Sequence, residues 1–213
     1  LSMRWIEKAI EILYPPLPEL PEPSAYWNFD EASGNILSDI IGNNDGTIHG
    51  ATWTNGKAGG ALEFDGTDDY VALAGNAVTT TEFTISAWAN HYGPGGGTDG
   101  KGPIFVQNDD RAANNHVAVA LLATRDGAYP NLAAAGLRSS NGVNQALLAE
   151  RLPYNKWHHY AMTVSDEWFV LYIDGQEVDK VENNQQGDYT TGVDYVTFAR
   201  SRFHGRNAGF FNG

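Results

Sequence analysis

The sequence predicts an all-β protein, a sandwich or barrel, on three observations. Short apolar runs alternate with a period of two, Asx-Gly pairs punctuate them, and from residue 25 onward no helical periodicity is interleaved. The runs are Ala25–Phe29, Ala61–Phe64, Tyr70–Leu73, Phe83–Trp88, Pro103–Val106, His116–Leu121, Asn131–Ala134, Trp157–Val164, Trp168–Ile173 and Val193–Phe198. Turns are expected at Asp45-Gly46, Asn55-Gly56, Asp65-Gly66, Asp126-Gly127, Asn141-Gly142 and Asp174-Gly175, because Asx-Gly supplies the positive φ that tight hairpins require. Trp168 to Val178, WFVLYIDGQEV, reads as two strands about the last of these turns.

Residues 1–24 have a different pattern. Met3, Ile6, Ile10 and Leu13 recur at three and four, the stripe of a short helix that Ser2 caps and Pro15-Pro16 end. Five prolines within residues 15–24 then enforce an extended polyproline strut. A helix this short is marginal alone, so its stripe is expected to dock on the body or on a partner, as an assembly or attachment element. The domain reading is a helix and linker over 1–24 and one sandwich over 25–213, within the ~250 residues such a fold accommodates.

Charge and composition exclude several functions. Across 213 residues, 13 Lys plus Arg oppose 26 Asp plus Glu, for a net charge of −13, which argues against a phosphate backbone as partner. With no cysteine there are no disulfides, thiolate metal sites or Cys nucleophile. No apolar run approaches the ~18–20 residues that cross a bilayer, and Arg4, Glu7 and Lys8 break any signal-like core in the first ten residues. The acids crowd the first half, with 16 of them before residue 111 against 4 bases. The single basic cluster is late: Arg200, Arg202, His204 and Arg206.

Five motifs, in order, resemble a known family. They are Tyr26-Trp-Asn-Phe-Asp-Glu31 followed by Gly34 and Asp39; Gly59-Gly-Ala-Leu-Glu-Phe-Asp-Gly-Thr-Asp-Asp-Tyr-Val71; Phe83-Thr-Ile-Ser-Ala-Trp88; Trp157-His-His-Tyr-Ala-Met-Thr-Val164; and Leu171-Tyr-Ile-Asp-Gly175. Together they are similar to LamG-like (laminin G type 3) jelly rolls across about residues 25–213. The resemblance implies a concanavalin A-like sandwich of two antiparallel sheets. Trp27, Phe29, Phe64, Trp88, Trp157 and Tyr172 are then expected to fill the ~10 Å between the sheets. Family members usually continue past the equivalent of Phe211-Asn212-Gly213 into a last strand of Asp-x-Val-x-Ile-Tyr type, so an edge is expected where that strand would pair.

Candidate chemistry divides by residue type. Glu63-Phe64-Asp65 with Asp68 mimics the carboxylate run of sandwich glucanases but lacks its last glutamate. Gly95 to Lys101 satisfies GxxxxGK, yet Gly102 and Pro103 follow where a Ser or Thr and a helix are required, so nucleotide binding is rejected and the segment reads as a loop at the sandwich rim. His158 and His159 are neighbours on one strand and face opposite ways, and no G-x-S-x-G elbow is present. Calcium is the cofactor expectation, since it takes 6–8 oxygens from irregular loops; the resemblance favours Asp30 and the loop Asp39, Asn43, Asp45. For sugar recognition, rings and planar polar groups at loops and strand ends are the candidates: Tyr92, Arg125, Tyr129, Tyr154, Asn141, Asn144 and Gln145. The function expected is a non-catalytic binding or adhesion module, secreted or on a cell surface, recognising glycan or protein. The alternative is an exterior structural module of a virion or other large assembly, anchored or oligomerised through residues 1–24, and a glycoside hydrolase is the third.

Overall fold

A computed structural model describes residues 22–97, 100–108, 118–124, 132–138, 144–184, 189, 193–203 and 206–213. The expected N-terminal helix, most of the strut and the turns at Asp126-Gly127 and Asn141-Gly142 lie outside the described residues. No helix occurs among the described residues, and none there is long and apolar enough to cross a membrane.

The strands in chain order are β1 (Ile36–Leu37), β2 (Gly46–His49), β3 (Thr52–Asn55), β4 (Gly60–Glu63), β5 (Tyr70–Leu73), β6 (Phe83–Asn90), β7 (Gly102–Asn108) and β8 (Ala118–Thr124). They continue as β9 (Leu132–Arg138), β10 (Asn144–Arg151), β11 (Trp157–Val164), β12 (Trp168–Ile173), β13 (Gln176–Glu182), β14 (Tyr195–Phe198), β15 (Arg200–Phe203) and β16 (Arg206–Phe210). Eight strands form one sheet, β1-β2-β5-β14-β7-β8-β9-β10, and four form the other, β13-β12-β11-β6. Two hairpins, β3–β4 and β15–β16, complete an antiparallel jelly-roll sandwich. The hairpin predicted about Asp174-Gly175 is β12–β13; both turn residues have positive φ, 51° and 79°, as the right-handed twist of the flanking strands requires.

Alternation sets the core. On β11 the inward row is His158, Tyr160, Met162 and Val164, joined by Phe169, Leu171 and Ile173 of β12. The large sheet contributes smaller groups to the same core: Val119, Leu121 and Ala123 of β8, and Ala133, Ala135 and Leu137 of β9. Large side chains against small ones let the two faces interdigitate.

The same alternation corrects half of the expected aromatic core. Phe64 is buried, and Trp27 and Phe29 pack against the core, with the Trp27 ring edge-on to Phe198 at 5.1 Å. Trp88, Trp157 and Tyr172 instead share the parity of His159, opposite to buried His158, and so lie on the outer face of the small sheet. Trp88 is 50% exposed, paired across the ladder with His159 at a ring separation of 5.3 Å. The expected strand Ala25–Phe29 is also absent: Phe29 turns left-handed (φ 61°), and the Tyr26 amide is given to the Asp39 side chain rather than to a ladder. The segment from Gly95 is not a free rim, because Gly96 exchanges both backbone bonds with Phe210 of β16. At the far end, Gly213 exchanges backbone bonds with Phe64, and β6 is an end strand of its sheet.

Gln107 and His91 are among the polar groups buried in this apolar frame. Gln107 of β7 is fully buried, and its amide uses its whole hydrogen-bonding capacity: Oε1 accepts from Ala77 (3.0 Å) and Val78 (2.9 Å), while Nε2 donates to the carbonyls of Val78 (2.8 Å) and Tyr189 (3.1 Å). It thus fastens the crossover before β6 and the segment before β14 to the same strand. His91, 1% exposed, lies 3.3 Å from the Tyr160 hydroxyl through Nδ1. Burial first, then the neighbouring His158, pushes the His91 imidazole down to about 4.

Gln107→Leu, of similar volume, strands two amides and two carbonyls, and is expected to lower stability by about 3 kcal/mol or more, read from the urea midpoint. The His91 shift predicts a pH dependence. Between about 6.5 and about 4 the folded chain binds fewer protons at this site than the unfolded chain, so its contribution is complete above about pH 6.5 and is lost as pH falls toward 4. From pH 7.5 to pH 5 that loss amounts to about 2 kcal/mol, and His91→Gln is expected to remove this part of the slope.

Candidate functional site

An open depression of about 690 Å³ is lined by Asp30, Ala32, Trp53, Thr54, Asn55, Gly59 and Gly60. Its size falls within the ~300–1,000 Å³ of small-ligand sites. The β3–β4 hairpin makes one wall. Trp53 on β3 packs partly on the core and donates its indole N–H to the Gly34 carbonyl at 2.9 Å, which fixes the plane of its ring. The opposite wall is the chain leaving Phe29, where both Phe29 (φ 61°) and Ala32 (φ 58°) are left-handed. Non-glycine residues in that region are strained, and such strain concentrates at ligand sites. The exposed Asp30 carboxylate between the walls accepts the Gly60 amide at 2.8 Å through Oδ1. A side chain at Gly60 would strike the Phe29 carbonyl, and one at Gly59 the Asp30 carboxylate, so this Gly-Gly pair is required for the walls to meet. The site offers a fixed indole, an exposed carboxylate and, from Asn55, an exposed amide.

The sequence names Asp30 here, though as a metal ligand, and carries Gly59-Gly60 in its second motif. It does not single out Trp53 or Asn55, because a Trp in a four-residue strand carries no mark of which wall it forms.

The expected calcium set is not assembled as a coordination shell. Asp39 is buried and spends its carboxylate on four backbone amides: Oδ1 accepts from Tyr26 (2.9 Å), Ile41 (3.3 Å) and Gly42 (2.9 Å), and Oδ2 from Asn44 (3.2 Å). Burial alone would raise its pKa, but these donors outweigh burial and hold the carboxyl below its ordinary value. Asp45 Oδ1 in turn accepts the Asp39 amide at 2.9 Å. Asn43 is exposed, and its neighbour Asn44 makes the loop contacts, donating to the Asn76 carbonyl and accepting the Trp27 indole N–H. Four backbone N–H groups thus converge on the Asp39 carboxylate. Among the described residues, the acids that bring three carboxylates within 4.8 Å of one another are Asp65, Asp68 and Asp69, and Asp30, Asp39 and Asp45 do not. Asp65 Oδ1 already accepts from Thr67 (2.7 Å) and Asp68 (3.3 Å), an Asx turn rather than a reacting pair with exposed Glu63.

Of the expected sugar-binding residues, Tyr92, Asn144, Gln145 and Tyr154 fall among the described ones. Arg125, Tyr129 and Asn141 lie outside the described residues. Gln145 bridges two strands, donating to the Glu182 carbonyl at 2.6 Å and accepting the Asn184 amide at 3.2 Å. Asn144 accepts from Arg138 at 3.1 Å. Tyr92 is 41% exposed beside buried His91, whose ring meets Tyr154 edge-on at 5.0 Å. Of the two neighbouring histidines, expected to face opposite ways, it is His158 that points inward, its Nδ1 2.7 Å from Asp174 Oδ2.

Known proteins place this geometry in a class. The family model of the concanavalin A-like lectin/glucanases superfamily described by laminin G type 3 domains matches residues 65–213, and the chain belongs to that family. No curated protein sequence matches the chain. Among solved structures, it is similar to domain 4 of AbnA, a GH43 extracellular arabinanase from Geobacillus stearothermophilus, in complex with arabinotriose. That match has a TM-score of 0.63 and 20% identity, and covers 89% of this chain and 88% of that one. The binding domain of botulinum neurotoxin DC in complex with SialylT matches at TM-score 0.55 and 17% identity, over 88% of this chain and 47% of that one. The Ruminococcus gnavus IT-sialidase CBM40 bound to α2,3 sialyllactose matches at TM-score 0.50 and 15% identity, over 62% and 71% respectively. At these identities the likeness establishes the shared sandwich.

Asp39→Ala is expected to cost about 2–3 kcal/mol by leaving buried amides unpaired, read as a lowered urea midpoint that calcium does not restore. A wild-type melting temperature raised by millimolar calcium over chelator, with the rise abolished in Asp39→Ala, would overturn this assignment of the loop.

Proposed function

We propose that the chain is a non-catalytic carbohydrate-binding module of a secreted or surface-displayed protein, and that the Trp53 cleft takes the glycan. The observation that carries the reading is the combination of a fixed indole, an exposed carboxylate and an exposed amide around one open concavity on a rigid sandwich. Pyranose and furanose rings present C–H faces that lie on an aromatic plane, while their hydroxyls donate to a carboxylate and exchange bonds with an amide. Asp30 supplies the acceptor and Asn55 both donor and acceptor. The openness of the cleft suits a chain end or an internal segment of a polysaccharide. Support for the ligand class comes from the similar domains solved with arabinotriose and with sialyllactose. The non-catalytic reading is supported by the cleft lining, where, among the described residues, Asp30 is the one carboxylate and glycoside hydrolysis by two carboxylates needs a second.

A glycan array followed by calorimetry on the tightest hit tests the proposal. Trp53→Ala is expected to weaken that hit about tenfold or more, and Asn55→Ala, on an exposed strand end, to weaken it without changing the melting temperature. An array without hits, or an affinity indifferent to both substitutions, would remove the reading.

A further inference from the structure

The late basic cluster is not absorbed by the Trp53 cleft. At the end of β14 the chain breaks its alternation: Ala199 is left-handed (φ 65°), buried, and tied on both sides, donating to the Ile104 carbonyl at 3.2 Å and accepting the Phe211 amide at 2.8 Å. The kink lays the next residue, Arg200, over the ring of Tyr70 on β5, with Cζ 3.5 Å from the centroid. Tyr70 is stacked in turn on His49, its cross-strand partner in β2, at 4.4 Å. Two residues further on, the Arg202 guanidinium lies 5.6 Å from the ring of Tyr195, whose hydroxyl accepts the Arg202 amide (2.8 Å) and donates to the Arg202 carbonyl (2.6 Å).

Arg200 is partly buried, yet no carboxylate among the described residues lies within 4.0 Å of it, and its Nε has no hydrogen-bond partner. Burial lowers its pKa first, the adjacent Tyr70 hydroxyl opposes that shift by charge and hydrogen bond, and the Arg202 charge adds a smaller lowering. Across the ladder from Tyr195, the Oδ1 of buried Asn108 also has no partner. A chain with a net charge of −13 has acids to spare, yet none among the described residues is paired with this cation. A desolvated guanidinium without a counter-ion is costly, and the strained Ala199 is what holds it there. Its planar donor fork matches a carboxylate.

We propose that Arg200, seated on Tyr70, is a subsite for the carboxylate of an acidic sugar. It rests on the glycan-binding reading but shares no residue with the Trp53 cleft. A neutral sugar would leave the guanidinium without a carboxylate, whereas a sialic or uronic acid supplies one on a ring.

Calorimetry of the full chain at low salt with sialyllactose, trigalacturonate and lactose tests it. One acidic ligand is expected to bind about tenfold or more tighter than lactose, which of the two separating sialic from uronic recognition. Arg200→Gln is expected to abolish that preference, and Arg200→Lys, which keeps the charge without the fork, to retain only part of it; both are checked for an unchanged melting temperature. Acidic ligands no tighter than lactose, or a preference that survives Arg200→Gln, would overturn the proposal. Neutral glycan binding that depends on Trp53 and ignores Arg200 would overturn this subsite alone, whereas binding of no glycan would overturn the glycan-binding reading with it.

Discussion

Contact between the inner faces of two antiparallel sheets positions everything else on this protein. Tyr160, Met162, Phe169 and Leu171 of the small sheet are buried in one core with alanines and branched aliphatics of β8 and β9. At ~25 cal/mol per Å² of apolar surface, each large ring or aliphatic group so buried contributes on the order of 2 kcal/mol. A one-residue slip in any central strand would exchange its whole inner and outer rows, so the core fixes register, and register fixes which side chains reach the surface. The outward row of Trp88, His159 and Tyr172 follows from that constraint as directly as the inward row does.

How much of this was legible in the sequence follows from the same fact. Period-two runs identify strands, and Asp174-Gly175 identifies a hairpin, because both signals are local. Which parity faces the core is not local. Trp157 and Tyr172 are as apolar as Tyr160 and Leu171, and hydrophobicity alone cannot rank the two rows when both carry rings. His158 and His159 illustrate the limit: opposite orientation was readable, but the inward choice of His158 depends on Asp174 reaching its Nδ1 from the next strand's turn. The segment Ala25–Phe29 alternates like a strand, yet Asp39 captures its amide, a competition between side-chain and ladder acceptors that no window of sequence reveals.

The polar interior has one organising rule, that loops over an apolar core are anchored by acceptors reaching back to backbone amides. Asp39 holds four amides, Asp65 holds the Asp65–Asp69 turn, and Gln107 holds segments on either side of it in sequence. Acidic residues in the first half of the chain thereby act partly as internal fasteners. In the loop from Asp39 to Asp45 the buried acid closes on backbone donors. Oxygen count alone does not reveal such a fastener; the direction of the surrounding N–H groups does.

Both proposed binding sites lie where the chain departs from the rule that builds the core. Phe29 and Ala32 flank the Trp53 cleft, and Ala199 precedes Arg200; all three are left-handed residues with side chains. A regular sandwich presents smooth outer faces, and a strand in register cannot turn one residue out of its row. Backbone reversal at a single position does so at a cost on the order of 1–3 kcal/mol, which a well-packed core absorbs. At Phe29 the reversal opens a concavity beside a fixed indole, and at Ala199 it moves a guanidinium off its strand and onto the face of Tyr70. In each case the fold supplies rigidity through alternation, and recognition comes from one local violation of it.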